Sequence, residues 1–217
     1  MCIRDRAYQA FNAKLLAEEE PADNETVLTS GKAYSNVFHA NGGSASFSVM
    51  ANTLRGVYGT DVLLATANSF TGSVLQADYN KKMAASMIMP NGLMSRQRTM
   101  TGAELKETVR AFVEGCEGGF VPFNRGSLPV VSGIAVEVKE AGGSYTLTGI
   151  TRNGQPLGDN DTVTVTCLAA EKQMEALLAS ESGTSLDGDT WVKNRWRDHV
   201  SGGGAALAEP ENYMTLR

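Results

Sequence analysis

Histidine, cysteine and positive charge are all scarce in this 217-residue chain, and the first and last of these scarcities each argue against a class of function. Only two histidines occur, His39 and His199, and neither has a ligand-type neighbour at helix or hairpin spacing. The sequence therefore presents no metal-ligand cluster. Cysteine is limited to Cys2, Cys116 and Cys167. Cys116 and Cys167 could pair or remain two buried free thiols; spacing does not decide, and free thiols are the expectation. Positive charge is in deficit, with 19 Lys and Arg against 24 Asp and Glu for a net charge of −5. That balance argues against the basic face of a nucleic-acid binder. No apolar run approaches the length of a membrane span, and no signal-peptide pattern is visible.

What is present is a 42% apolar composition, enough for one large core or two small ones. The opening residues, MCIRDR, can be reverse-translated as ATG-TGT-ATA-AGA-GAC-AG, which looks like the mosaic end of a transposon-based sequencing adapter. The alternative is a genuine start whose Cys-Ile pair seeds a helix. The adapter reading is the expectation for residues 1–6, with coding sequence lost upstream. Residues 7–32 read as a linker arriving from an upstream domain. In them Tyr8, Phe11 and Leu15 share one face of a short helix that an acidic run and Pro21 bring to an end.

Beyond the linker, Phe47, Met50, Ala51, Leu54 and Tyr58 recur at helical spacing between glycines. DVLLATA is a continuous apolar run, typical of a strand covered on both faces. Pro90-Asn91-Gly92 marks a turn within a strand-like segment. Thr101 and Glu104 form a capping box ahead of Leu105, Val109 and Phe112, and Gly115 stops that helix. From Leu128 to Ala169 apolar and polar residues alternate, with turns at Gly142-Gly143 and Asn153-Gly154, which predicts an antiparallel meander. Helices are predicted around Met174, Leu177 and Leu178, and where Val192, Trp196 and Val200 stack at i, i+4, i+8. NYMTLR closes as a short strand. The pattern predicts two sheets with helices outside them, in one domain spanning 33–217.

An ordered series of segments over roughly the last 180 residues resembles the C-terminal domain of 5′-nucleotidases, UDP-sugar hydrolases and 2′,3′-cyclic-nucleotide phosphodiesterases. MANTLRGVYGTDVLLATANS resembles the family's helix ending in Ala-Leu-Arg and the strand after it. MIMPNGLM resembles its Pro-Phe-Gly-Asn segment, and MTGAELKETV its Thr-Gly-x-x-Leu helix. LPVVSGIAVEV resembles its Gln-Val-Ser-Gly-Leu strand, and NGQPLGDNDTVTVTCLAA its Gly-x-Pro-Leu-Asp strand. The resemblance implies an α+β fold, a four-layer α/β/β/α sandwich. It also implies an upstream metallophosphatase domain acting in cis, whose two divalent metals are held by Asp, His and Asn ligands and activate water. The present fragment would hold no cofactor and perform no hydrolysis alone. Its role would be to grip the nucleoside of a nucleotide or another small phosphoester, outside the cytoplasm, in the extracellular space or cell envelope.

The residues depart from the family where it clamps the base between two rings. Asn91 stands at the phenylalanine position of the Pro-Phe-Gly-Asn segment, followed by Gly92. The second ring belongs to a Gly-Gly-Asp-Gly-Phe/Tyr loop, and the matching EKQMEALL has neither the glycines nor the ring. Asn68 fits the base- or ribose-binding asparagine, but Ser73 replaces an arginine. Losing two stacking faces would forfeit roughly 1–3 kcal/mol each, and the arginine a charge-assisted donor. Phe120, Phe123 and Arg125 could supply new rings and a charge, or the phenylalanines could simply pin a loop to the core. Arg96 and Arg98 alternate on a strand and could face a cleft or solvent. The candidate binding residues are Asn68, Asn91, Gly92, Phe123 and Arg125, with no catalytic or metal-ligating residue. The alternative function is a non-catalytic cell-surface binding or scaffold module that kept the fold and lost the clamp.

Overall fold

A computed structural model describes residues 25–88, 93–114, 129–170, 184–202 and 205–217. The helices expected near residues 7–20 and around Met174 lie outside these residues, as do Cys116, Asn91, Gly92, Phe120, Phe123 and Arg125. The chain begins with β1 (Thr26–Ser30), β2 (Phe38–His39), β3 (Gly43–Ser44), α1 (Ala45–Tyr58) and β4 (Val62–Thr66). A 3-10 turn at Ala67–Ser69 follows, then β5 (Ala77–Asn80), α2 (Lys81–Ala85), β6 (Leu93–Thr101) and α3 (Gly102–Glu114). Next come β7 (Pro129–Ser132), β8 (Ala135–Ala141), β9 (Ser144–Arg152), β10 (Gln155–Pro156) and β11 (Thr162–Ala170). The chain closes with β12 (Thr184–Trp191), α4 (Val192–Ser201), β13 (Ala205–Ala206) and β14 (Met214–Leu216). It is a mixed α/β fold with several sheets and few helices.

The larger sheets are a five-stranded one, ordered β12-β6-β11-β4-β7, and a four-stranded one, ordered β10-β9-β8-β14. The expected meander is divided between them. β8, β9 and β10 do form consecutive antiparallel hairpins, turning at Gly142-Gly143 and Asn153-Gly154. β7 and β11, however, belong to the five-stranded sheet, where β11 runs parallel to β4. Alternation reports which faces of a strand are covered, whereas its partner is fixed by distant segments that local pattern does not encode. The stretch expected as connector also carries structure, because β1 pairs with β5 and β13.

α1 is capped by Ser44, whose side chain accepts from the Phe47 amide, and every residue from Ser46 through Leu54 is buried. A helix covered on all sides must satisfy its polar side chains internally. Ser46 donates to the Gly72 carbonyl at 2.9 Å and Ser48 to that of Glu211 at 2.9 Å. The Thr53 hydroxyl accepts from the Ala208 amide at 2.9 Å. The extended segment ahead of β14 is thus stitched to α1. α4 buries Val192, Trp196 and Val200, as the i, i+4, i+8 stack predicts, and the Trp196 indole N–H donates to the Ala84 carbonyl of α2 at 2.7 Å.

The capping box forms as expected: the Thr101 amide donates to Glu104 Oε2 at 2.7 Å, and the Glu104 amide to Thr101 Oγ1 at 3.2 Å. Gly102 begins α3 and donates its amide to the Asp161 carbonyl at 2.7 Å. A Cβ at Gly102 would sit 1.9 Å from the Gly158 carbonyl oxygen, so backbone would have to move. On α1, a Cβ at Gly56 meets nothing within 4 Å. Gly102→Ala should therefore cost more than about 1 kcal/mol of stability, and Gly56→Ala should add about 0.5–1 kcal/mol. Urea denaturation midpoints of the two variants should move in opposite directions; movement in the same direction contradicts this packing.

Candidate functional site

Two ends of the five-stranded sheet differ in what they carry. β4 leads from Asp61 at one end to Asn68 at the other, across a strand roughly 17 Å long. At the far end, Thr66 of β4 pairs with Pro129, the first residue of β7, and Ala170, the last of β11, pairs with Leu93, the first of β6. The connections carrying Asn91, Gly92, Phe123 and Arg125 all adjoin these strand ends in sequence, although those residues lie outside the described set. Asn68 is exposed on the 3-10 turn just past β4. β4 and β11 are parallel neighbours, so their carboxyl ends open at this same edge. The carboxyl ends of parallel strands are a common place for a ligand. Ser73 hydrogen-bonds Asn36: it accepts from the backbone amide at 3.2 Å, and its hydroxyl donates to Oδ1 at 3.2 Å.

The opposite end holds a cleft of about 420 Å³ that sequence reasoning did not single out. Arg55 from α1, Asp61 before β4, Arg152 at the end of β9 and Glu211 line it, together with Asn153, Gly154 and Asn212. The Arg55 Nε donates to Ser132 Oγ at 2.8 Å, and that hydroxyl donates to Asn52 Oδ1 at 2.5 Å. Asn52 in turn donates to the Glu209 carbonyl at 2.8 Å. Asp61 Oδ2 accepts from the Thr164 amide at 2.8 Å and its hydroxyl at 2.9 Å, while Oδ1 accepts from Arg152 Nη2 at 2.5 Å. Gly133, with φ of +81°, lets the chain cross from β7 to β8 here; a Cβ would lie 2.0 Å from the Asp61 carbonyl oxygen. The signals were Arg55 in TLRG and Arg152 before the Asn153-Gly154 turn, but nothing in their spacing joins them.

Burial disfavours the Asp61 carboxylate, but the two Thr164 hydrogen bonds and the charges of Arg152 and Arg55 outweigh it and hold its pKa below the ordinary value. Cys167 is free and buried in β11. Burial pushes its thiol up to about 12, against the opposing charges of Arg98 and Arg96. Arg96 and Arg98 pair in register with Cys167 and Val165, and both are half-buried rather than fully solvated. Among the described residues, no group of three His, Cys, Asp or Glu side chains could hold a metal ion. No helix among them is long and apolar enough to cross a membrane.

With this geometry in view, comparison with known proteins shows the fold. No family profile and no curated protein matches the sequence. Solved structures do. The NAD nucleotidase of Haemophilus influenzae aligns with a TM-score of 0.64 at 16% identity, covering 96% of this chain and 41% of its own. A 5′-nucleotidase precursor from Thermus thermophilus aligns at 0.63 and 11% identity, covering 98% and 42%. The sulfate thiohydrolase SoxB of Thermus thermophilus, solved with glycerol, aligns at 0.68 and 12% identity, covering 97% and 38%. The chain shares the fold of a part of these proteins and spans about two fifths of their length.

Two outcomes follow from the chemistry of Asp61 and Cys167. Because Asp61 titrates low in the folded chain, its contribution is complete above the unfolded aspartate value of about 3.9. It is lost as pH falls through the depressed folded value. Asp61→Asn should therefore cost about 1–2 kcal/mol at neutral pH by weakening the Thr164 and Arg152 contacts, with the gap to wild type narrowing at pH 3. Urea unfolding at the two pH values measures this, and a gap that widens in acid contradicts it. Peptide mapping after iodoacetamide at pH 8 should find Cys167 unmodified until urea unfolds the chain.

Proposed function

We propose that this chain is the substrate-recognition domain of a metal-dependent nucleotide phosphohydrolase of the 5′-nucleotidase type, built as a four-layer α/β/β/α sandwich. In this reading an upstream metallophosphatase domain holds the two divalent metals and cuts, while the present domain grips a nucleotide or another small phosphoester. The parent would work in the extracellular space or cell envelope. The observation carrying the reading is that nearly the whole chain follows the fold of one part of longer nucleotidases. The open edge at the carboxyl ends of β4 and β11 supports placing the ligand there, with Asn68 donating its amide to base or ribose. Asn91, Gly92, Phe123 and Arg125 complete the proposed site on the adjoining connections.

A second reading is favoured by particular residues. Asn91 replaces a stacking ring, and Ser73, where the family has arginine, is hydrogen-bonded to Asn36 rather than carrying a charge. A domain so altered would be a surface-attached binding or scaffold module with no nucleotide clamp.

Titration of the purified chain with adenosine, AMP and UDP-glucose, followed by calorimetry or NMR, separates the two. Recognition predicts saturable binding of a phosphorylated ligand without its hydrolysis. Asn68→Ala should weaken that binding about three- to tenfold, the worth of roughly one net hydrogen bond. Absence of binding to all three favours the scaffold module. Divalent-dependent release of phosphate by these residues alone overturns the division into gripping and cutting domains.

A further inference from the structure

The cleft at the amino end of β4 is a built site that the reading above does not use. Arg55 is held from behind: its Nε is fixed on Ser132 at 2.8 Å, Ser132 on Asn52 at 2.5 Å, and Asn52 on the Glu209 carbonyl at 2.8 Å. Its terminal nitrogens, by contrast, are poorly matched. Nη1 is 3.5 Å from the Asp61 carbonyl oxygen, and Nη2 is 3.8 Å from Glu211 Oε1. A guanidinium in a good charge-assisted pair sits at about 2.7–2.9 Å from its acceptor, so both contacts are long. The side chain that answers Arg55 is the weakly held one, since Glu211 is 53% exposed and reaches it only at 3.8 Å.

Arg152 lines the same cleft, with Nη2 committed to Asp61. Both Asp61 oxygens are occupied, by Arg152 and by Thr164, so that carboxylate is already matched within the wall. Glu211 is left as the loosely placed counter-charge in front of a pre-set fork. A planar fork whose side-chain entropy has already been spent gains more from a bidentate oxyanion than from one distant carboxylate.

We propose that this cleft binds a small oxyanion, a carboxylate or phosphate group, on the terminal nitrogens of Arg55, with Glu211 as the intramolecular group that the ligand displaces. The site lies at the end of the five-stranded sheet opposite Asn68 and is independent of any nucleotide site there. Glu211 then acts as a built-in competitor, which gives the test an unusual sign.

Inorganic phosphate and acetate, each titrated at constant ionic strength and followed by NMR of the 217-residue chain, provide the probes. At least one should bind saturably in the millimolar range and shift the Asn153, Gly154 and Arg152 amides; whichever binds tighter identifies the class. Glu211→Gln should tighten that binding about two- to fivefold, the scale of one exposed charge pair. Glu209→Gln removes the same charge two residues away, but Glu209 pairs with Lys32 and does not line the cleft. It should leave the affinity unchanged. Shifts that never saturate, an affinity unaltered by Glu211→Gln, or equal tightening in the Glu209 variant would each overturn the proposal.

Discussion

The constraint on which the rest depends is the burial, on every side, of α1 from Ser46 to Leu54. A helix in that position has no solvent to turn its polar residues toward, and an unsatisfied buried donor or acceptor costs about 1–3 kcal/mol. Ser46, Ser48, Asn52 and Thr53 therefore each bind a fixed group: carbonyls or amides of the segments on either side, or the Ser132 hydroxyl. These bonds do more than settle the helix. They place the extended chain from Ala208 to Glu211, which has no ladder of its own, and so position β14 for its parallel pairing with β8. One helix thereby couples the five-stranded sheet beneath it to the four-stranded sheet.

The segments that carry the family resemblance meet in pairs at such joints. TLRG and VVSG are far apart in sequence, and Arg55 of the first donates to Ser132 of the second at 2.8 Å. TGAEL and LGDND meet where the Gly102 and Ala103 amides donate to the Asp161 and Asp159 carbonyls at 2.7 and 3.0 Å. These stretches therefore carry the wiring of the fold, and the residues that wire a fold need not be those that set its specificity.

The same distinction accounts for how much was legible beforehand. The Thr101–Glu104 box, the Val192–Trp196–Val200 stack and the all-buried run of β4 are decided within one or two turns or one strand, and each forms as read. The parallel pairing of β11 with β4 joins Val165 to Val62, about a hundred residues away, and no local pattern announces it. The Arg55–Asp61–Arg152 cleft is hidden for the same reason, since its members come from a helix end, a strand start and a hairpin. The expectation for Asn68 rests on resemblance alone, because a lone exposed asparagine after a strand has no pattern of its own.

The two ends of β4 also differ in what mutation can do to them. At the amino end, Asp61 is bonded through both its backbone and its carboxylate, and Gly133 is pressed against its carbonyl. A side chain changed there disturbs several partners at once, so its effects are coupled and non-additive. At the carboxyl end, Asn68 stands exposed on a short 3-10 turn between the buried Ala67 and Ser69. An exposed side chain on such a turn can be exchanged with less disturbance to the sheet than one bonded to several partners.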